Sequence, residues 1–234
     1  MLRIVRRWRR FLADQSFFPI LLASLYSLGL YAARTVETDN RVVYSNLVWN
    51  LWLAWVPFLF SMLADGLERL YPRRWWLLIL PGVVWILFIP NAPYILTDFF
   101  HLEPRPGIPL WYDMLLLIAF SWTGIFLMVA SLRTMQRLVQ GYLGWFAGWA
   151  FALAALALCG VGIYLGRFER WNSWDMLSHP GRILADVLAP MTDPLNSLRY
   201  FGVSILFAGF LLICYLVFVS MDRPDEKETS DVAR

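Results

Sequence analysis

The chain has 234 residues, 59% of them hydrophobic and 16% charged, with a formal charge of +3. A soluble domain carries about 25% charged residues, so this composition excludes an ordinary water-soluble domain. The apolar residues stand in long blocks rather than in alternation, which excludes the strands of about 10 residues that build outer-membrane barrels.

The N-terminal segment, residues 1–16, carries Arg3, Arg6, Arg7, Arg9 and Arg10. Such a cluster can hold nucleic acid, but here it runs straight into an apolar block. It reads as a topology signal in contact with lipid headgroups, and no nucleic-acid partner is expected. The first block is Phe17–Ala33. With the basic segment it has the outline of a signal peptide, but a cut after Ala33 would put Tyr31 where a small residue is needed, so an uncleaved anchor is expected.

Five more blocks follow: Ser45–Ala64, Trp75–Pro90, Trp111–Leu132, Tyr142–Gly166 and Tyr200–Met221. A bilayer is crossed by about 20 residues of helix, and in hydrocarbon every backbone polar group must be paired within its segment. The fold class expected is therefore all-α, one membrane domain over residues 17–221 with six spanning helices. Asp65–Arg74 and Arg133–Gly141 read as tight connections. The tail, residues 222–234, is charged and lacks aromatics, the composition of a disordered segment.

The third block is short, and it holds Pro81-Gly82 and ends at Pro90. An interrupted short span marks binding regions in transporters, and a kinked helix packed on its neighbours has the same pattern. In the fifth block Gly144, Gly148, Gly162 and Gly166 stand at the spacing that lets helices approach closely. Cys159 and Cys214 fall at different depths and are expected to be free thiols.

Basic residues orient the bundle. With the N-terminus inside, the inner segments hold Arg3, Arg6, Arg7, Arg9, Arg10, Arg69, Arg73, Arg74, Arg133, Arg137, Arg223, Lys227 and Arg234. The outer ones hold Arg34, Arg41, Arg105, Arg167, Arg170, Arg182 and Arg199, spread over longer loops. The bias puts both termini in the cytoplasm.

The residues able to do chemistry then gather outside. Asn91 can cap a short helix, with Pro93 in its first turn. On an α-helix Tyr94, Asp98 and His101 share one face. Asp98 can fix the tautomer of His101 and raise its basicity, which makes this pair the candidate catalytic base. Asp113 opens the fourth span, where a carboxylate suits the helix dipole, and Trp111 and Tyr112 suit the interface.

Arg167, Arg170, Asn172 and Asp175 crowd the next outer loop beside Trp171 and Trp174. The arginines can pair with Asp98 or Asp113, or hold an anionic ligand. His179-Pro180 opens an interfacial helix with Arg182 and Asp186 paired on its polar face. Asn46 and Asn50 bond to a neighbouring helix or floor a polar pocket. His101, His179, Asp98, Glu103, Asp113 and Asp175 are types that ligate metal, but no HExxH, paired CxxC or close His pair occurs. No metal site and no cofactor are assigned, and GxSxG and Walker patterns are absent.

Phe88-Ile-Pro-Asn-Ala-Pro-Tyr-Ile-Leu-Thr-Asp-Phe-Phe-His-Leu102, with Trp111-Tyr-Asp113 and Arg170-Trp-Asn-Ser-Trp-Asp175, resembles an uncharacterised family of bacterial multi-pass membrane proteins, a domain of unknown function. The resemblance covers nearly the whole chain except its basic start and charged tail. It implies a bacterial cytoplasmic membrane and carries over no activity, substrate or residue role.

The function expected is a polar site on the outer face, formed by Asn91, Tyr94, Asp98, His101, Asp113, Arg167, Arg170, Asn172 and Asp175. It binds or processes a polar or lipid-linked envelope compound. The alternatives are a small-molecule transporter and a structural or assembly protein without a ligand site. The lipid bilayer is the one partner indicated; the oligomeric state is not.

Overall fold

A computed structural model describes residues 11–38, 44–105, 107–188 and 194–221. The Arg3–Arg10 cluster, Arg41 and the tail fall outside the described residues. Six helices are long and apolar enough to cross a membrane, and the chain is a multi-pass membrane protein. α1 is Phe17–Thr38 and α2 is Ser45–Leu70. The third span is composite: a 3₁₀ turn Trp75–Leu78, α3 Ile79–Phe88, α4 Asn91–Tyr94 and a second 3₁₀ segment Ile95–His101. α5 is Leu110–Leu143, α6 is Trp145–Phe168 and α9 is Pro194–Met221. Two short helices, α7 Asp175–Ser178 and α8 Pro180–Leu188, lie between α6 and α9.

The helices run past the apolar blocks. The expected connection Arg133–Gly141 is helical, and α5 is 34 residues long, about 50 Å at 1.5 Å per residue. A bilayer core is about 30 Å thick, so helix-forming charged residues can prolong the helix beyond it. Gly144, with φ 88°, ends α5 and starts α6. It serves the turn, a conformation that costs other residues a steric penalty, rather than the packing seam expected of it. In the same way α2 continues through Asp65 to Leu70, where Asp65 and Arg69 pair at 2.9 Å one turn apart.

The short third span is also resolved. The run Trp75–His101 spans 27 residues, because Ile89 and Pro90 keep helical dihedrals and carry the chain into α4. Asn91 does not cap that helix. Its amide donates back to the Phe88 carbonyl at 3.0 Å and to Ser173 Oγ at 2.7 Å. Pro81 sits in the first turn of α3, where its missing N–H has no intrahelical partner to lose.

α5 is the centre of the bundle, packed on α1, α2, α6 and α9, and α4 is wedged among α2, α5 and α6. Phe58, Trp85, Ile95, Leu116, Phe120 and Leu127 form the fully buried core, and Trp85 stacks on Phe151 with centroids 5.4 Å apart. Leu22, Leu80, Leu206 and Ile213 stay exposed, as side chains facing lipid tails should. Cys159 and Cys214 are free.

Two glycines make room for the wedge. A Cβ on Gly124 of α5 would lie 2.3 Å from the Ala92 carbonyl oxygen, and one on Gly162 of α6 would lie 2.6 Å from Pro90 Cβ. Without a hydrophobic drive between helices in lipid, such close backbone approach is what holds a bundle together.

Candidate functional site

The bundle has two ends. One carries the described start of the chain, the α2–α3 and α5–α6 turns and the end of α9. The other carries the residues from Asn91 to Pro109 and the segment after α6; it is called the loop face below.

At the loop face the segment bearing Asp98 and His101 is 3₁₀, not α. With three residues per turn, Asp98 and His101 share a line while Tyr94 is turned away by about 120°. Tyr94 accordingly donates to the Gly166 carbonyl of α6 at 3.4 Å. Asp98 is buried and accepts from Asn50 Nδ2 of α2 at 3.1 Å. His101 is exposed, and no hydrogen bond joins it to Asp98; its Nε2 instead lies 3.5 Å from Arg167 Nη2. The Arg167 guanidinium lies over the Phe100 ring at 5.1 Å. The expected Asp98–His101 base pair is therefore an inner carboxylate held by an amide and an outer imidazole held by a guanidinium.

Asp113 does not join this group. It forms a two-pronged pair with Arg34, Nε to Oδ1 at 2.6 Å and Nη2 to Oδ2 at 3.1 Å, with both side chains 2% exposed. Arg34 stands one residue beyond the first apolar block as read from sequence, and it is held inside α1. Tyr44 covers the pair: the Arg34 guanidinium lies 5.0 Å from its ring centroid and that of Arg105 4.7 Å. Burial and the Asp113 carboxylate raise the Tyr44 phenol above its ordinary value, against Arg105 and Arg34. It thus remains a donor at neutral pH, and it reaches the His101 carbonyl at 3.4 Å. Arg105 donates to the same carbonyl at 3.3 Å and to Glu103 at 3.0 Å.

The second outer cluster ties the loop to itself. Asp175 accepts from the Asn172 backbone N–H at 2.8 Å and from its amide at 3.3 Å. Asp186 accepts from Trp171 Nε1 at 2.7 Å and forms no ion pair with Arg182, contrary to expectation. Arg170 is exposed, with φ 59°, and pairs with neither Asp98 nor Asp113. Trp174 meets Trp49 of α2 at 6.5 Å. Asn46 is exposed.

The expected site thus divides. His101 and Arg167 meet, and Asp98 is bonded to Asn50 on the inner side. Asn91 and Tyr94 fasten α4 and the loop, Asn172 and Asp175 pair locally, and Asp113 belongs to Arg34. Arg34, Tyr44, Arg105 and Ser173 were not among the candidates. Arg34 carried a usable signal, a charge flush with a span end. Tyr44, Arg105 and Ser173 had none, since only the fold brings them near their partners. Replacing Asn50 by leucine should cost about 1–3 kcal/mol by leaving the buried Asp98 carboxylate without its amide; unfolding in micelles by denaturant titration measures it. Among the described residues no cluster of three or more His, Cys, Asp or Glu could hold a metal ion.

The opposite end, where only tight connections are expected, also holds a polar network. Gln15 donates to Asp65 at 2.7 Å and accepts from Thr134 at 2.6 Å, and Asp65 pairs with Arg69. Tyr215 bonds Gln136 between α9 and α5.

The chain belongs to the family described as "Protein of unknown function (DUF1361)", whose model matches residues 49–214. The match covers less than the resemblance did, because it leaves out α1 and with it Arg34. No curated protein and no solved structure matches the chain.

Proposed function

We propose that the loop face faces the outside of a bacterial cytoplasmic membrane and binds an anionic polar or lipid-linked envelope compound at His101 and Arg167. The observation that carries this is their convergence. A guanidinium and an exposed imidazole from positions 66 apart in sequence meet at 3.5 Å, with the buried Asp98 behind them. Two nitrogen groups on adjoining elements fit one phosphate or carboxylate, and Phe100 beside them, 65% exposed, suits an acyl or isoprenoid stem. Orientation rests on the arginine bias. If the site turns over its ligand, His101 is the group placed to move a proton, with Arg167 steadying negative charge.

A structural role is the second reading, favoured by the number of outer polar groups bonded across loops, Asn91 to Ser173 above all. Transport is less favoured. Of the hydroxyls deep in the bundle, Ser27 bonds with Thr123 at 3.2 Å and Ser24 with Trp55 at 3.1 Å, while Ser121 and Ser204 are buried without a partner among the described residues and do not line up into a path with them.

The test is mass spectrometry of lipids and metabolites that co-purify with the protein in mild detergent. An anionic compound retained by wild type should fall by about tenfold in His101→Ala and in Arg167→Gln, as expected for losing a charged hydrogen bond of about 1.5–3 kcal/mol. Thermal midpoints should stay unchanged. Equal retention, or loss only together with unfolding, favours the structural role.

A further inference from the structure

The end opposite the loop face contains a cavity of about 600 Å³ between the residues leading into α1 and its first turn, residues 126–137 of α5 and the end of α9. Its lining is graded. The polar part, Asp14, Gln15, Arg133, Thr134 and Arg137, comes from positions nearer this end of the bundle along α5 and before α1, and Ile20, Phe126 and Val129 come from positions further along those helices, with Phe218 of α9 completing the apolar lining. From Arg137 to Phe126 the α5 wall is about 16 Å long at 1.5 Å per residue. Phe126 and Phe218 pack edge to face at 5.5 Å.

Arg133 and Arg137 are one helical turn apart, so both guanidiniums are on the cavity side of α5. Two guanidiniums on one face can both donate to a single phosphate. The other charge on the lining among the described residues, Asp14, lies 3.9 Å from Arg69 of α2. Gln15 is committed to Asp65 and Thr134. Arg137 spends one donor on Thr134 Oγ1 at 3.3 Å, and a guanidinium has five. The polar part is thus cationic and rich in donors, and the rest is hydrocarbon. A soluble anion would use only the polar part. A molecule with a phosphate at one end and acyl chains at the other uses both.

We propose that this cavity is a binding site for an anionic glycerophospholipid, its phosphate between Arg133 and Arg137 and its acyl chains along Phe126 and Phe218. The site is separate from the outer one and does not depend on it.

The test is native mass spectrometry of the full chain in neutral detergent, titrated with phosphatidylglycerol and with phosphatidylcholine of the same chain length. Phosphatidylglycerol should reach half occupancy at a concentration about tenfold lower, the scale expected for two basic residues at a membrane surface. The pair Arg133→Gln with Arg137→Gln should erase that difference, while Arg133→Lys with Arg137→Lys should keep part of it. Should the glutamine pair fail to fold, a photo-crosslinking residue at Met221, on the cavity lining, should still capture phosphatidylglycerol over phosphatidylcholine in the otherwise wild-type chain. Equal binding of the two lipids overturns the proposal. So does displacement of phosphatidylglycerol by millimolar inorganic phosphate, which marks a site for soluble anions. Selectivity that appears only after residues 222–234 are deleted also overturns it, because the acidic tail would then be the occupant.

Discussion

Arg34→Leu should be among the most damaging single substitutions in this protein, costing about 3–5 kcal/mol by stranding Asp113 as an uncompensated buried charge. Asp113→Leu should cost a similar amount for the converse reason. The double variant should recover most of the loss, since removing both charges replaces a desolvated pair by apolar contacts. Denaturant unfolding of the four proteins in micelles gives the coupling directly. Additive losses, or single variants as stable as wild type, would show that the pair at 2.6 Å does not tie α1 to α5. Because α1 lies outside the matched family region, the pair also shows how the first span is joined to the rest.

The second large effect is expected at Gly124. Valine there must displace the Ala92 carbonyl, which is only 2.3 Å from the position of a Cβ. Overpacking costs about 1–3 kcal/mol where side chains can yield, and here the obstacle is backbone. The Pro90–Tyr94 wedge should shift, carrying Asp98 and His101 away from Asn50 and Arg167. Gly124→Val should therefore lose both thermal stability and the co-purifying compound. Gly29→Ala is the control, since nothing lies within 4 Å of a Cβ there, and it should leave both unchanged. A Gly124→Val protein with wild-type stability would mean that α4 is not wedged against α5.

The contrast between these residues shows what sequence could and could not reveal. Apolar blocks of membrane-crossing length announce themselves, and all six spans were visible. Their ends were not, because helix propensity carries α2 and α5 past the last apolar residue. The loop-face residues stand out by chemical type, and two of them, His101 and Arg167, do meet. The pairing within that set was misread. Placing Tyr94, Asp98 and His101 on one face assumed 3.6 residues per turn, and the segment Ile95–His101 winds at three. Arg34 was passed over because hydropathy stops at Ala33, one residue earlier, although a long side chain at a span end can turn inward when a carboxylate awaits it. The polar cluster of Gln15, Asp65, Arg69 and Thr134 draws on three separate segments, and no local pattern could foretell it.

The claim on which the function rests is that His101 lies on the external side. A chain with Cys159→Ala and Cys214→Ala and a single new cysteine at either His101 or Tyr71 can be treated in intact cells with a membrane-impermeant thiol reagent. Labelling at residue 101 without permeabilisation, with residue 71 labelled only after it, is the predicted result. The reverse pattern would put the His101–Arg167 pair in the cytoplasm and contradict an envelope ligand.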